Sequence, residues 1–278
     1  MAAMGSTSYQ TARATLTARR ASESPVARAL ARVGLVARGL IYILIGWLAI
    51  EVAIGHSSRR PSQAGALHLL AGTSYGVITL WLLAFGFAGY ALWRLSEAAF
   101  GVTGDKPGAG PRLKSLVRAI VYAFLSALAF KVIAGSAGNQ NRKQQDVTAM
   151  VMHHTGGQWL VAIVGLVIVV VGLMLVAEGI RRKFMKYLRS GEMSPRTRKI
   201  VEKLGMIGTT ARGVVFAIVG ALIVDAAVTF NAKKAGGLDK ALLTLRHQIF
   251  GEFLLIVVAL GVIIFGIYGL CEARWRRI

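Results

Sequence analysis

The sequence predicts an all-α integral membrane protein of six transmembrane helices. They are expected to form three parallel-related helical hairpin repeats about a pseudo-threefold axis, with both termini cytoplasmic. Three observations carry that expectation. The chain is 55% apolar and 16% charged, with a mean hydropathy of +0.59, a balance suited to lipid rather than to a water-facing surface. Its apolar residues fall into runs of about 20, each able to cross a hydrocarbon core of about 30 Å at about 1.5 Å rise per residue. A pattern that opens on an arginine also returns three times.

The first copy runs from Val36 to Ala53 (VARGLIYILIGWLAIEVA), the second from Leu116 to Ile133 (LVRAIVYAFLSALAFKVI) and the third from Thr210 to Ala227 (TARGVVFAIVGALIVDAA). Counting from Arg38, Arg118 and Arg212, an aromatic follows at +4 (Tyr42, Tyr122, Phe216). Small residues follow at +1 (Gly39, Ala119, Gly213) and +8 (Gly46, Ser126, Gly220). These two positions share one stripe, which lets helix backbones approach closely. At +13 each apolar run carries an ionisable residue: Glu51, Lys131 and Asp225.

Taken in order, residues 1–34 form a basic segment in which Pro25 is suited to the first turn of an interfacial helix. The run that follows is long enough to span, which argues against a cleavable signal. Repeat 1 covers 35–100, with spans near 35–54 and 76–100. The intervening piece Ala66–Ala71 is too short to cross, and Trp93 suits a headgroup boundary. A Gly- and Pro-rich stretch at 101–114 separates it from repeat 2 at 115–183, whose spans lie near 115–134 and 157–180. The segment 184–208 is a basic linker, with a separate helix expected around 195–203. Repeat 3 at 209–278 holds spans near 209–228 and 252–271 and ends in a basic tail.

Orientation follows from charge. Of 33 Lys and Arg, 24 fall on the side of the N-terminus and eight on the other, with Lys131 inside a span. The positive-inside rule then sets both termini in the cytoplasm. The net charge of +21 has anionic lipid headgroups on that side as its natural counterpart. No nucleic-acid fold signature accompanies it, so no nucleic acid is expected as a partner.

The even-numbered spans repeat too. Aligned on Gly76, Gly157 and Gly251, they place Glu97, Glu178 and Glu272 at +21. These glutamates lie level with Arg38, Arg118 and Arg212, so interfacial arginine–glutamate pairs are expected, within a hairpin or between neighbours. The +13 residues lie about 20 Å further along. Glu51, Lys131 and Asp225 would form an ion or proton site if they converge. Because each is only a turn or two from the outer interface, snorkelling or a structural ionic clasp outweighs that reading.

All five histidines (His56, His68, His153, His154, His247) fall on the outer side without ligand spacing. No metal or cofactor is expected. The single cysteine, Cys271, excludes an intramolecular disulfide and a multi-cysteine metal site. There is no G-x-S-x-G, no P-loop and no paired-acid pocket, so no enzyme is expected.

Three segments that open with R-[GA]-x-[IV]-[YF] and close on Glu before a basic flank resemble the domain of unknown function 1206 family. The resemblance rests on Arg38, Gly39, Tyr42 and Gly46, on Arg118 and Tyr122, and on Arg212, Gly213, Phe216 and Gly220. Copy two departs at Ala119 and Ser126. The resemblance implies a bacterial, actinobacterial plasma-membrane protein and no activity. A non-enzymatic accessory or scaffold subunit that binds lipids or another membrane complex is the leading expectation. A small ion- or proton-coupled carrier or channel using Glu51, Lys131 and Asp225 is the alternative.

Overall fold

The computed structural model describes residues 25–56, 61–73, 76–100, 109–135, 140–154, 156–246 and 248–277. The first 24 residues, Arg59, Arg60, His247 and most of the 101–114 linker lie outside the described residues. The described residues form nine α-helices: α1 (Pro25–Ala53), α2 (Gln63–Ala71), α3 (Gly76–Phe100), α4 (Ala109–Ile133), α5 (Gln140–Met152), α6 (Gly157–Ile180), α7 (Pro195–Val228), α8 (Leu238–Arg246) and α9 (Gly251–Trp275). Among the described residues there is no strand, only one bridge between Leu188 and Arg276. Six helices, α1, α3, α4, α6, α7 and α9, are long and apolar enough to cross a membrane, and the protein is an integral membrane protein.

Each repeat is a long helix, a short one and a long one. The short helices α2, α5 and α8 sit at equivalent places before the even-numbered spans. Their junctions explain the repeated glycine. A Cβ on Gly76 would stand 1.8 Å from the Leu70 carbonyl oxygen, one on Gly157 1.6 Å from that of Val151, and one on Gly251 2.0 Å from that of Arg246. No other residue type fits where the short helix turns this sharply into the span.

Two expected boundaries dissolve into continuous helices. The interfacial piece at 25–33 and the first span are one helix of 29 residues. The expected helix at 195–203 and the fifth span are likewise one helix of 34 residues, started by Pro195 and capped by Ser194, whose hydroxyl accepts from the Thr197 amide at 3.2 Å. At about 1.5 Å per residue, α7 is about 51 Å long, so its first turns stand beyond a hydrocarbon core of about 30 Å. Gly205 and Gly208, which look like helix breakers in sequence, are instead contact points. Cβ atoms there would meet Phe184 Cε2 at 2.3 Å and Phe265 Cα at 2.5 Å. Phe184, Leu188, Met193, Val201, Phe265 and Tyr268 form a small core around that protruding end. The chain end is clipped to it, with the Arg189 amide donating to the Trp275 carbonyl at 2.8 Å and that of Arg277 to Tyr187 at 3.0 Å.

The hairpin of the sequence is not the tightest packing unit. The closest helix pairs cross repeat boundaries: α3 with α4, α6 with α7, and α9 with α1. Within repeats α1 meets α3 and α7 meets α9 less extensively, while α4 and α6 of repeat 2 scarcely meet. The small-residue stripe is the reason. At +8, a Cβ on Gly46 would come 2.7 Å from the Ala259 carbonyl oxygen and one on Gly220 2.7 Å from that of Gly165. Ser126, the same position in copy two, donates its hydroxyl to the Ala84 carbonyl at 2.9 Å. Ala84, Gly165 and Ala259 occupy one position in the even-span alignment. At +1, Gly39 faces the carbonyl oxygen of Gly266 and Gly213 that of Gly172, each 2.7 Å from where a Cβ would lie. Close approach of backbones maximises dispersion contact in lipid, where apolar burial supplies no driving force between helices.

Candidate functional site

One end of the bundle carries an arginine and aromatic cluster that spans all three repeats. Arg38 on α1 donates to Glu272 on α9, and the other oxygen of Glu272 accepts from Arg276 Nη1 at 2.6 Å. Both guanidiniums and the carboxylate are buried. On α3, Arg94 is 1% exposed. It donates to the Tyr90 hydroxyl through Nε at 3.0 Å and Nη2 at 2.6 Å, and to Glu97 through Nη1 at 2.5 Å. Ser115 of α4 donates to the same Glu97 oxygen at 3.1 Å, which ties the end of α3 to the start of α4.

The guanidiniums also lie against aromatic faces. The Trp93 ring has Arg94 4.4 Å from its centroid and Arg276 5.5 Å from it. The Phe265 ring has Arg212 at 4.9 Å and Arg38 at 5.3 Å. Arg212 further faces its own +4 residue, Phe216, at 5.1 Å and Tyr42 of repeat 1 at 5.6 Å. Tyr42 packs edge-on against Phe265, and Tyr122 of repeat 2 lies 4.4 Å from Tyr90 between ring centroids. Cation–π contacts of this kind contribute about 0.5–2 kcal/mol each, yet they do not neutralise charge.

Five guanidiniums (Arg38, Arg94, Arg118, Arg212, Arg276) therefore share this end with two engaged carboxylates, Glu97 and Glu272. Among the described residues Arg118 and Arg212 have no carboxylate within ion-pair distance, and Glu178 pairs with no base. Arg118 lies within electrostatic reach of Arg94, Arg276 and Arg212 and of the Tyr90 hydroxyl. The Nε atoms of Arg38 and Arg212 are buried without an acceptor. Of the three arginine–glutamate pairs expected at this level, the structure brings together Arg38 and Glu272, across the α9–α1 boundary. Glu97 goes to Arg94 instead, because a base three residues back on the same helix face reaches it first.

The +13 residues lie elsewhere, and Glu51 and Asp225 take local partners. Glu51 accepts from Trp47 Nε1 at 2.8 Å, one turn back. Asp225 pairs with Lys234 at 3.1 Å, both side chains substantially exposed. Lys131 is exposed on α4. The described histidines are exposed at this opposite end, and no group of three His, Cys, Asp or Glu able to hold a metal occurs among the described residues.

The spacing of the cluster along the chain matches a known repeat. The family model for a Domain of Unknown Function (DUF1206) matches three times, over residues 33–101, 113–182 and 207–276. The chain belongs to the DUF1206 family. Each DUF1206 segment contains one of Arg38, Arg118 and Arg212 near its start and one of Glu97, Glu178 and Glu272 near its end. A protein of Bacillus subtilis (strain 168), the uncharacterized protein YxxB, is 28% identical over 256 residues, covering 91% of this chain and 92% of its own. No solved structure matches.

Arg94, Tyr90 and Trp93 escape the repeat pattern, since the aligned spans carry other residue types there, whereas Arg276 aligns with Arg182 of repeat 2 and with Gly101 of repeat 1. Arg94 had a signal of its own: a base inside an apolar run, three residues before an acid. Trp93, read from sequence as a headgroup anchor, is 7% exposed because two guanidiniums lie against its ring. Arg276 reads in sequence as one more residue of a basic flank.

Proposed function

We propose that this DUF1206 protein is a non-enzymatic accessory or scaffold subunit of the bacterial plasma membrane, holding anionic lipid headgroups at its cytoplasmic end. Both termini lie in the cytoplasm, and the three repeats are arranged about a pseudo-threefold axis. The observation that carries the reading is the imbalance of five guanidiniums against three carboxylates, Glu97, Glu178 and Glu272, at one end of the bundle. Uncompensated charge at the edge of the hydrocarbon is costly, and lipid phosphates are the anions always present there. The equivalent small-residue contacts at α3–α4, α6–α7 and α9–α1 support the pseudo-threefold arrangement. The three-to-one excess of Lys and Arg at the same end supports the orientation.

The test is affinity purification of the full chain from native membranes in mild detergent, followed by mass spectrometry of co-purifying lipid and protein. Reproducible enrichment of anionic over zwitterionic phospholipid is expected. Recovery of the chain alone, with neither lipid preference nor partner, refutes the proposal. Membrane-impermeant maleimide applied to intact cells checks the orientation. In a Cys271→Ser background, Thr229→Cys should label and Ser190→Cys should not.

A further inference from the structure

The second repeat differs from the other two in a way that bears on the surplus charge. Its spans α4 and α6 scarcely meet, whereas α1 packs on α3 and α7 on α9. The ring of spans, followed by contact, runs α4, α3, α1, α9, α7, α6 and stops. An opening therefore lies between α4 on one side and the α6–α7 pair on the other. Its two sides carry the two arginines of the cluster that have no carboxylate within ion-pair distance among the described residues, Arg118 on α4 and Arg212 on α7, and these lie within electrostatic reach of each other.

Further along, the exposed side chains are apolar. On α4, Val121 follows Arg118 by one turn and is exposed, with Ile120 and Phe124 beside it. On α6, the residues buried against α7 are largely glycines, and long apolar side chains such as Leu166, Val170 and Leu173 project outward. A polar cationic base beneath two apolar walls has the chemistry of one membrane constituent, a phospholipid.

We propose that Arg118 and Arg212 hold the phosphate of one anionic phospholipid whose acyl chains occupy the opening between α4 and α6. The inference rests on the lipid-binding reading above and adds a site, two contact residues and a headgroup class. Guanidinium forks match phosphate oxygens in two-point contacts. The headgroup is one without an ammonium, such as phosphatidylglycerol. A choline or ethanolamine nitrogen would enter a field in which Arg38, Arg94, Arg118, Arg212 and Arg276 outnumber Glu97, Glu178 and Glu272, and would be repelled. Arg118 is exposed as a residue, so the site opens onto the surrounding lipid. The buried Nε of Arg212, without an acceptor in the protein, marks the inner edge of the same site.

The experiment is native mass spectrometry and thermal unfolding of the full-length chain, delipidated and then titrated with phosphatidylglycerol, phosphatidylcholine or inorganic phosphate. One phosphatidylglycerol should bind per chain. Arg118→Gln and Arg212→Gln should each weaken it about tenfold, while Arg198→Gln on the exposed start of α7 leaves it unchanged. Arg118→Lys should fall between. Folding of the variant is read separately. Because Arg118 has no carboxylate within ion-pair distance among the described residues, delipidated Arg118→Gln should melt no lower than the delipidated parent, whereas a purely structural arginine would lower it. Equal retention by the parent and both Gln variants overturns the site and leaves the general reading standing. Stabilisation by inorganic phosphate as large as that by phosphatidylglycerol also overturns it, since the ligand is then a soluble anion. Absence of any preference for phosphatidylglycerol in the parent overturns both.

Discussion

Glu272 is the residue whose change has the most calculable effect. Its carboxylate is the counter-ion of two buried guanidiniums, those of Arg38 and Arg276, with all three side chains 7–8% exposed. Glu272→Gln keeps the shape but removes the charge, and it turns an amide donor toward one of two groups that can only donate. Removing one member of a buried ionic pair costs about 3–5 kcal/mol, because the partner is left uncompensated; here two partners are left. At about 2–4 °C per kcal/mol for a chain of this size, the detergent-purified variant should melt at least about 6 °C below the parent. Tryptophan fluorescence reports the transition, since Trp93 sits against Arg276. Arg38→Gln should cost less, as Glu272 retains Arg276. The Arg38→Gln, Glu272→Gln double variant should lose less than the two single losses added together. A Glu272→Gln variant within about 2 °C of the parent would show that the carboxylate is not the counter-ion inferred from the geometry.

The cross-repeat pairing is checked by cysteines. In a Cys271→Ser background, Ala84→Cys with Ser126→Cys should form a disulfide on mild oxidation, because the Ser126 hydroxyl lies 2.9 Å from the Ala84 carbonyl. Leu125→Cys with Leu166→Cys, which face each other only if α4 and α6 pack, should stay reduced. Gly213→Ala places a Cβ 2.7 Å from both the Gly172 carbonyl oxygen and the Val176 nitrogen, so a loss of about 1–3 kcal/mol is expected from overpacking. Gly110→Ala, with nothing within 4 Å of its Cβ, should leave stability unchanged or raise it by up to about 1 kcal/mol. Asp225→Asn breaks an ion pair whose side chains are 48% and 41% exposed. It should cost under about 1 kcal/mol in a thermal or denaturant scan.

What the sequence carried legibly was whatever repeats. Six spans, the +1 and +8 small residues and the arginine–glutamate level all recur, and recurrence separates them from chance in an otherwise uniform apolar text. Which helix each stripe faces was not legible, because Gly39 or Gly220 shows that something comes close without showing what. The stripe also gave no hint that copy two opens between its own spans. The continuous α7 was hidden by Gly205 and Gly208, whose missing side chains serve Phe184 and Phe265 rather than a turn. The amphipathic segment Leu238–Arg246 escaped notice as a short helix, although its buried Leu238, Ala241 and Leu242 follow helical spacing. Arg94 lies outside the repeat pattern and Arg276 recurs only as Arg182, and only the folded chain brings Arg94 and Arg276 to Trp93.

The α9–α1 contact also has a bearing on biosynthesis. Helix α1 leaves the ribosome before the other five described spans, and its ionic partner lies 234 residues later in the chain. Until translation of the third repeat is complete, Arg38 waits at the bilayer edge without Glu272, and its flank with Gly39 and Gly46 has only lipid against it. The α9–α1 contact can therefore form only after the other helix pairs have been translated. A truncation that removes α9 takes from α1 its closest helix partner and leaves it only the looser packing on α3, while the α3–α4 and α6–α7 pairs stay intact.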